Sequence, residues 1–279
     1  MTRTQSILLA AATAAVMLLG TGCDKLRSRD HLNRGVQAFK NAKYPDAIDH
    51  FRKAIELDDN NPNARLYLAT AYMTQWIPGA DSPENNDLAK KAKEEFAKVL
   101  QKDPNDKTAI ASLASLNYNQ AQSLPPDRKA EKFNEAKEWY TKLVQVDPKN
   151  KEAYYSLGVI AWAKWYPALM TSRAKLSMKP EDPGPIKDKK VKEELKSTYS
   201  ATIEEGIQNL QKALDIDKEY DDAMAYMNLL IRERADLADD KSAYEKDIAV
   251  ADSWVQKALD TKKLKASRTP GATGITADK

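Results

Sequence analysis

Few side chains in this 279-residue chain stand where they could do covalent or metal chemistry. There is one cysteine, Cys23, and there are two histidines, His31 and His50. Neither histidine has a Cys or carboxylate at metal-ligand spacing, so no metal site is expected. The motifs for haem attachment (CxxCH), zinc hydrolysis (HExxH), nucleotide phosphates (a P-loop) and a serine nucleophile (GxSxG) are absent. The carboxylate pairs Glu94/Glu95, Glu193/Glu194 and Glu204/Glu205 fall on helix faces expected to meet water, where exposure explains them better than acid–base catalysis. The expectation is a protein that is not an enzyme and has no cofactor.

Cys23 is the exception. It follows the apolar stretch Ile7 to Gly20, ILLAAATAAVMLLG, which at fourteen residues is too short to span a bilayer. Arg3 precedes this stretch and the small residues Gly20-Thr21-Gly22 follow it, as in a secretory leader with its cleavage site. The segment Leu19-Gly20-Thr21-Gly22-Cys23 resembles a bacterial lipobox, with Gly20 where that pattern prefers Leu. The resemblance implies that residues 1–22 are removed and that the Cys23 sulfur carries diacylglycerol. Residues 23–30 are then a lipidated linker. Each buried methylene contributes about 0.8 kcal/mol, so two or more acyl chains hold a protein on a membrane. The implied location is the cell envelope, facing the periplasm or the surface. Asp24 marks inner-membrane retention in some enteric bacteria, a rule that is not general, so the choice of membrane stays open.

Charge excludes one class of partner. The 44 basic and 41 acidic residues leave a net +3, which gives no electrostatic footprint for nucleic acid. Recognition chemistry concentrates instead in aromatic and Met side chains. Trp162, Trp165, Tyr166, Leu169 and Met170 form the densest such group, and Trp76-Ile77-Pro78 echoes Trp165-Tyr166-Pro167. Trp and Met are enriched at interface hot spots, but a long insertion also needs a satellite core of its own.

The elements that position these residues repeat. A small residue, a large apolar residue four on, and apolar residues seven and eight on recur five times. They are Ala47/Phe51/Ala54/Ile55, Ala92/Phe96/Val99/Leu100, Ala136/Tyr140/Leu143/Val144, Gly206/Leu210/Ala213/Leu214 and Ala251/Val255/Ala258/Leu259. These offsets share one helix face, and repetition of such a face predicts a solenoid. Between them lie helices carrying Gly35, Leu68/Ala69, Leu113/Ala114, Leu157/Gly158 and Met227/Asn228.

In these residues, and above all in YPDAIDHFRKAIELDDNNP (44–62) and LATAY (68–72), the array resembles the tetratricopeptide repeat (TPR). That family pairs antiparallel helices A and B in about 34 residues. The expected fold is all-α, a TPR superhelical solenoid of about five helix-pair repeats over residues 31–264. Residues 265–279 are expected to be a disordered tail. Asn61, Asp106 and Asn150 stand as N-caps of the next helix, with Pro62 at a first helical position.

The step from the third residue of each B pattern to the small residue of the next A helix is always fifteen residues. The step from A to B is nineteen in the first repeat and 30, 29, 55 and 30 in the others. Length therefore varies only at the A–B tips, which predicts elongated hairpins. The largest insertion spans about 162–205. Pro167 is expected to end or kink helix A at Tyr166, followed by a short helix over 167–178, a loop over 179–188 and a long helix over 189–214.

In TPR proteins helix A lines a groove that takes a protein or peptide. Carried over by position, the lining is Leu66, Thr70 and Met73; Ala111, Ser115 and Tyr118; Tyr155, Val159 and Trp162; and Ala225, Leu229 and Arg232. This set is mostly apolar and lacks the Lys/Asn clamp for a C-terminal carboxylate. With the tip residues Trp76, Trp165, Tyr166 and Met170, it forms the expected protein-binding surface. The implied function is a membrane-anchored adaptor for protein–protein interaction, similar in architecture to TPR lipoproteins of envelope assembly. The alternative is a lipoprotein that binds a glycan or small nutrient on its paired aromatics.

Overall fold

The computed structural model describes residues 23–61 and 63–268. The leader (1–22), Pro62 and residues 269–279 lie outside them. All regular structure among the described residues is helical. In chain order it comprises α1 (23–40), α2 (Tyr44–Leu57), α3 (Ala64–Gln75), α4 (Pro83–Lys102), α5 (Lys107–Ser123), α6 (Pro126–Val146), α7 (Lys151–Lys175), α8 (Lys189–Ile216), α9 (Asp221–Arg234), a 3-10 turn (Ala235–Leu237) and α10 (Lys241–Arg268). Odd-numbered helices are the A helices and even-numbered ones the B helices. The chain forms two compact units, to residue 132 and from residue 133, with the boundary inside α6.

The repeated face supplies the core in the first four patterns, whereas in the fifth only Ala251 and Ala258 are buried and Val255 and Leu259 are exposed. Ala47, Phe51 and Ala54, Ala92 and Phe96, Ala136, and Leu210 and Ala213 are all fully buried. Small residues are placed where backbones approach. A Cβ on Gly35 would lie 2.5 Å from Phe51, one on Gly158 would lie 2.5 Å from Leu210, and one on Gly206 would lie 2.6 Å from the Cβ of Ala161. Ala161 is the small residue onto which Gly206 packs.

The constant fifteen-residue step has a structural cause. Helices α2, α4, α6 and α8 each end three residues after their third pattern residue, and the next residue is always Asp. The Asp58, Asp103, Asp147 and Asp217 N–H groups donate to the carbonyls of Ala54, Val99, Leu143 and Ala213, at 2.8–3.0 Å. Each Asp carbonyl then accepts from the residue three on: Asn61, Asp106, Asn150 or Tyr220. At Asp58, Asp103 and Asp217 the carboxylate also accepts from the N–H two residues on. A short polar side chain that bonds its own backbone closes such a turn without proline. Asp58 and Asp217 do so without the Pro that follows Asp103 and Asp147. The equivalent position after Ala258 is Lys262, and α10 runs on to Arg268. Two of the cap side chains behave as expected, Asp106 accepting from Ala109 and Asn150 from Ala153 at 2.8 and 2.9 Å. The N-cap of α3 is Asn63 rather than Asn61, whose side chain accepts from Asn63 and Ala64 at 3.2 and 3.3 Å from just before the helix.

Several expectations need correction. Residues 23–30, read as a linker, are helical, and Ser28 is fully buried with its hydroxyl donating to the Ala54 carbonyl at 2.8 Å. Residues 265–268, read as tail, continue α10. Pro167 neither ends nor splits its helix, for α7 is continuous through it to Lys175. A proline inside a helix costs about 3 kcal/mol or more. Here Trp165 and Leu169 flank it, both essentially fully buried, and their burial offsets that cost. The long helix over 189–214 is present as α8 and the loop over 179–188 is present, but the loop expected from Ile77 to Asn86 is shorter, since α4 begins at Pro83.

Candidate binding face on helices α7 and α9

In the second unit the A helices bring five aromatic rings into one continuous ladder. Tyr155, Trp162 and Tyr166 recur at 0, +7 and +11 along α7 and so share a face. Tyr226 lies on α9, and Tyr220 precedes its first turn. Ring centroids run Tyr220–Tyr155 at 5.1 Å, Tyr155–Tyr226 at 5.6 Å, Tyr226–Trp162 at 5.5 Å and Trp162–Tyr166 at 5.0 Å. The two contacts of Tyr226 are edge-to-face and Trp162 stacks on Tyr166, the geometries that ring quadrupoles favour. All five rings are half-buried, and Tyr155, Trp162, Tyr220 and Tyr226 pack against the core.

Carboxylates stand at both ends of the ladder. At one end Trp162 Nε1 donates to Glu233 Oε1 at 2.9 Å, while Glu233 Oε2 is buried with no partner. Burial is the main reason the Glu233 carboxyl is pushed up to about 7, and the Trp162 bond opposes it. At the other end burial, reinforced by Glu152, Asp222, Asp217 and Asp221, pushes the Tyr220 phenol up to about 12. Lys151 sits 5.0 Å over the Tyr220 ring and bonds Asp217 at 2.6 Å.

A buried polar pair lies at the ends of the same two helices. Arg173 Nη1 donates to Asp236 Oδ2 at 2.6 Å, with both side chains almost fully buried. Arg173 Nη2 donates to the Lys179 and Asp182 carbonyls at 2.8 and 2.5 Å, and Ile186 N–H donates to the Asp236 carbonyl at 2.9 Å. The irregular insertion is thus tied to both α7 and the end of α9.

The structure sorts the expected site residues. Tyr155, Trp162 and Tyr166 are in the ladder, and Met170 is half-buried against the same core. Trp165 is 0% exposed and Trp76 is 8% exposed. These two are core residues, Trp165 on the inner side of α7 and Trp76 just past the end of α3, and neither offers a stacking surface. Val159, expected in the groove, is likewise buried. Arg232 is half-buried and engaged by Asn228 and Asp252. In the first unit Leu66 and Met73 on α3 and Tyr118 on α5 are half-buried. Sequence reasoning missed Tyr220, Tyr226 and Glu233. It carried Ala225, Leu229 and Arg232 onto the face, whereas the ladder passes through Tyr226 and Glu233, whose own +7 spacing was the available signal.

This geometry defines the class. The TPR repeat family profile matches residues 38–75. The crystal structure of a MamA protein superposes with a TM-score of 0.53 at 14% identity, covering 88% of this chain and 97% of that one. MamA residues 41 to the end from Desulfovibrio magneticus RS-1 give 0.53 at 15% identity, covering 86% and 97%. MamA AMB-1 gives 0.51 at 13% identity, covering 88% and 99%. At these identities the likeness is one of fold. No curated protein matches the chain. The chain is all-α with its helices paired as in a TPR solenoid, and residues 38–75 match a TPR repeat.

Proposed function

We propose that this protein is a lipid-anchored, non-enzymatic adaptor of the bacterial cell envelope that captures a partner protein on its α7–α9 face. The observation that carries this reading is the five-ring ladder from Tyr220 to Tyr166. Aromatic rings on rigid helices give large contact area at little conformational-entropy cost, as hot spots require. The rings present electron-rich faces between carboxylates, so the occupant is a protein segment offering apolar and basic side chains. A glycan would need flat, separated ring faces, and Trp162 and Tyr166 cover one face of each other. The anchor rests on Cys23, which is exposed at the start of α1, and on the lipobox resemblance of the residues before it.

Crosslinking in cells followed by mass spectrometry tests the binding face. A protein partner should crosslink to the parent and be lost from Trp162→Ala and Tyr226→Ala. Its retention in both variants rejects this face. Fractionation tests the anchor separately: Cys23→Ser should move the protein from the membrane to the soluble fraction, and membrane retention after detergent-free washing rejects lipidation.

A further inference from the structure

The two histidines, nineteen residues apart in sequence, meet in the first repeat. His31 Nδ1 lies 3.2 Å from His50 Nδ1, with the rings tilted by 42° and both side chains half-buried. The register of the hairpin causes this. α1 and α2 run antiparallel: Ser28 on α1 bonds the Ala54 carbonyl on α2, so His31, three residues nearer the tip on α1, meets His50, four residues nearer the tip on α2. They are the only histidines in the chain, and the linear spacing contains no metal motif.

We infer that His31 and His50 form a two-imidazole site for a divalent transition ion of the Zn2+ or Cu2+ kind. Two nitrogens each about 2.0–2.1 Å from one such ion, at a near-tetrahedral angle, stand about 3.3 Å apart. The observed separation already matches that bite without movement of either helix. Imidazole is the ligand that suits these ions, and among them Cu2+ binds most strongly. In the metal-free pair one Nδ1 carries a proton and the other accepts it. On binding, both rings take the Nε2–H tautomer through exchange with water, and both Nδ1 lone pairs point at the ion. No net proton leaves two neutral rings. The remaining coordination positions fall to water or to a side chain of a bound protein.

The test uses the full chain carrying Cys23→Ser, so that no thiol competes, titrated with Zn2+ and with Cu2+ alone. One ion should bind per chain, and the Cu2+ spectrum should show hyperfine splitting from two nitrogens. His31→Ala and His50→Ala should each weaken binding at least tenfold, and the double variant should be no worse than either single. Circular dichroism of each variant confirms that the helices remain. Binding by the parent no tighter than by the double variant, or a spectrum without two nitrogen ligands, overturns the site and leaves a plain imidazole hydrogen bond. This result is independent of whether the α7–α9 face binds protein.

Discussion

Trp162 on α7 and Glu233 on α9 are joined by a hydrogen bond of 2.9 Å whose acceptor carboxylate keeps its second oxygen buried and unpaired. Burial pushes that carboxyl from 4.5 up to about 7. The folded state then holds a proton that the unfolded chain has already lost, so stability falls as pH rises between these two values. The full effect above that window is roughly 3 kcal/mol, since each pH unit across it contributes about 1.4 kcal/mol. Glu233→Gln keeps the acceptor for Trp162 and removes the titration. Chemical denaturation should show parent and variant alike near the acid end of the window and the variant more stable above it. An equal slope in both would show that another group is responsible.

The Arg173–Asp236 pair makes a second prediction. Removing one partner of a buried ion pair leaves an uncompensated charge and costs about 3–5 kcal/mol. Arg173→Met should lose about that much and also free the loop between α7 and α8, since Arg173 holds the Lys179 and Asp182 carbonyls. Limited proteolysis should then cut within 176–188 in the variant and spare the parent. Replacing Asp236 by Leu in the same chain should recover part of the stability.

Close approach sets a third. Ala for Gly gains about 1 kcal/mol in helix propensity. At Gly158 the new Cβ would lie 2.5 Å from Leu210 Cγ, a fully buried side chain. Overpacking of that kind costs about 1–3 kcal/mol, so Gly158→Ala should be net destabilising in thermal melts. Combined with Leu210→Ala it should cost less than the two changes summed.

The two tryptophans of the insertion should separate cleanly. Trp165→Ala should cost about 3–5 kcal/mol, the value for emptying a buried aromatic site. Trp165→Phe should be far milder, because Trp165 Nε1 is buried with no partner to lose. Trp162→Ala should change stability less and abolish partner capture. If Trp165→Phe also abolished capture while folded, the binding face would have to include the core side of α7.

The sequence alone determined whatever depends on local periodicity. A repeated helix face, spaced by a constant turn, specifies helices, their pairing and the buried side chains, because neighbouring repeats are close in the chain. It also carried the Asp of each turn and, at Lys262, its loss, which lets α10 run on. Tertiary packing decided what crosses between helices. It kept α7 helical through Pro167, since burial of Trp165 and Leu169 outweighs the missing hydrogen bond. It placed Trp165 inside and Trp162 outside, a rotation of three positions on one helix that a cluster of aromatics in sequence does not resolve. It joined Tyr155 and Trp162 to Tyr226 and Glu233 across some seventy residues, and His31 to His50 across nineteen. Those contacts depend on the rotation and register of one helix against the next, which side-chain volumes such as those at Gly206 and Ala161 set only once both helices are in place.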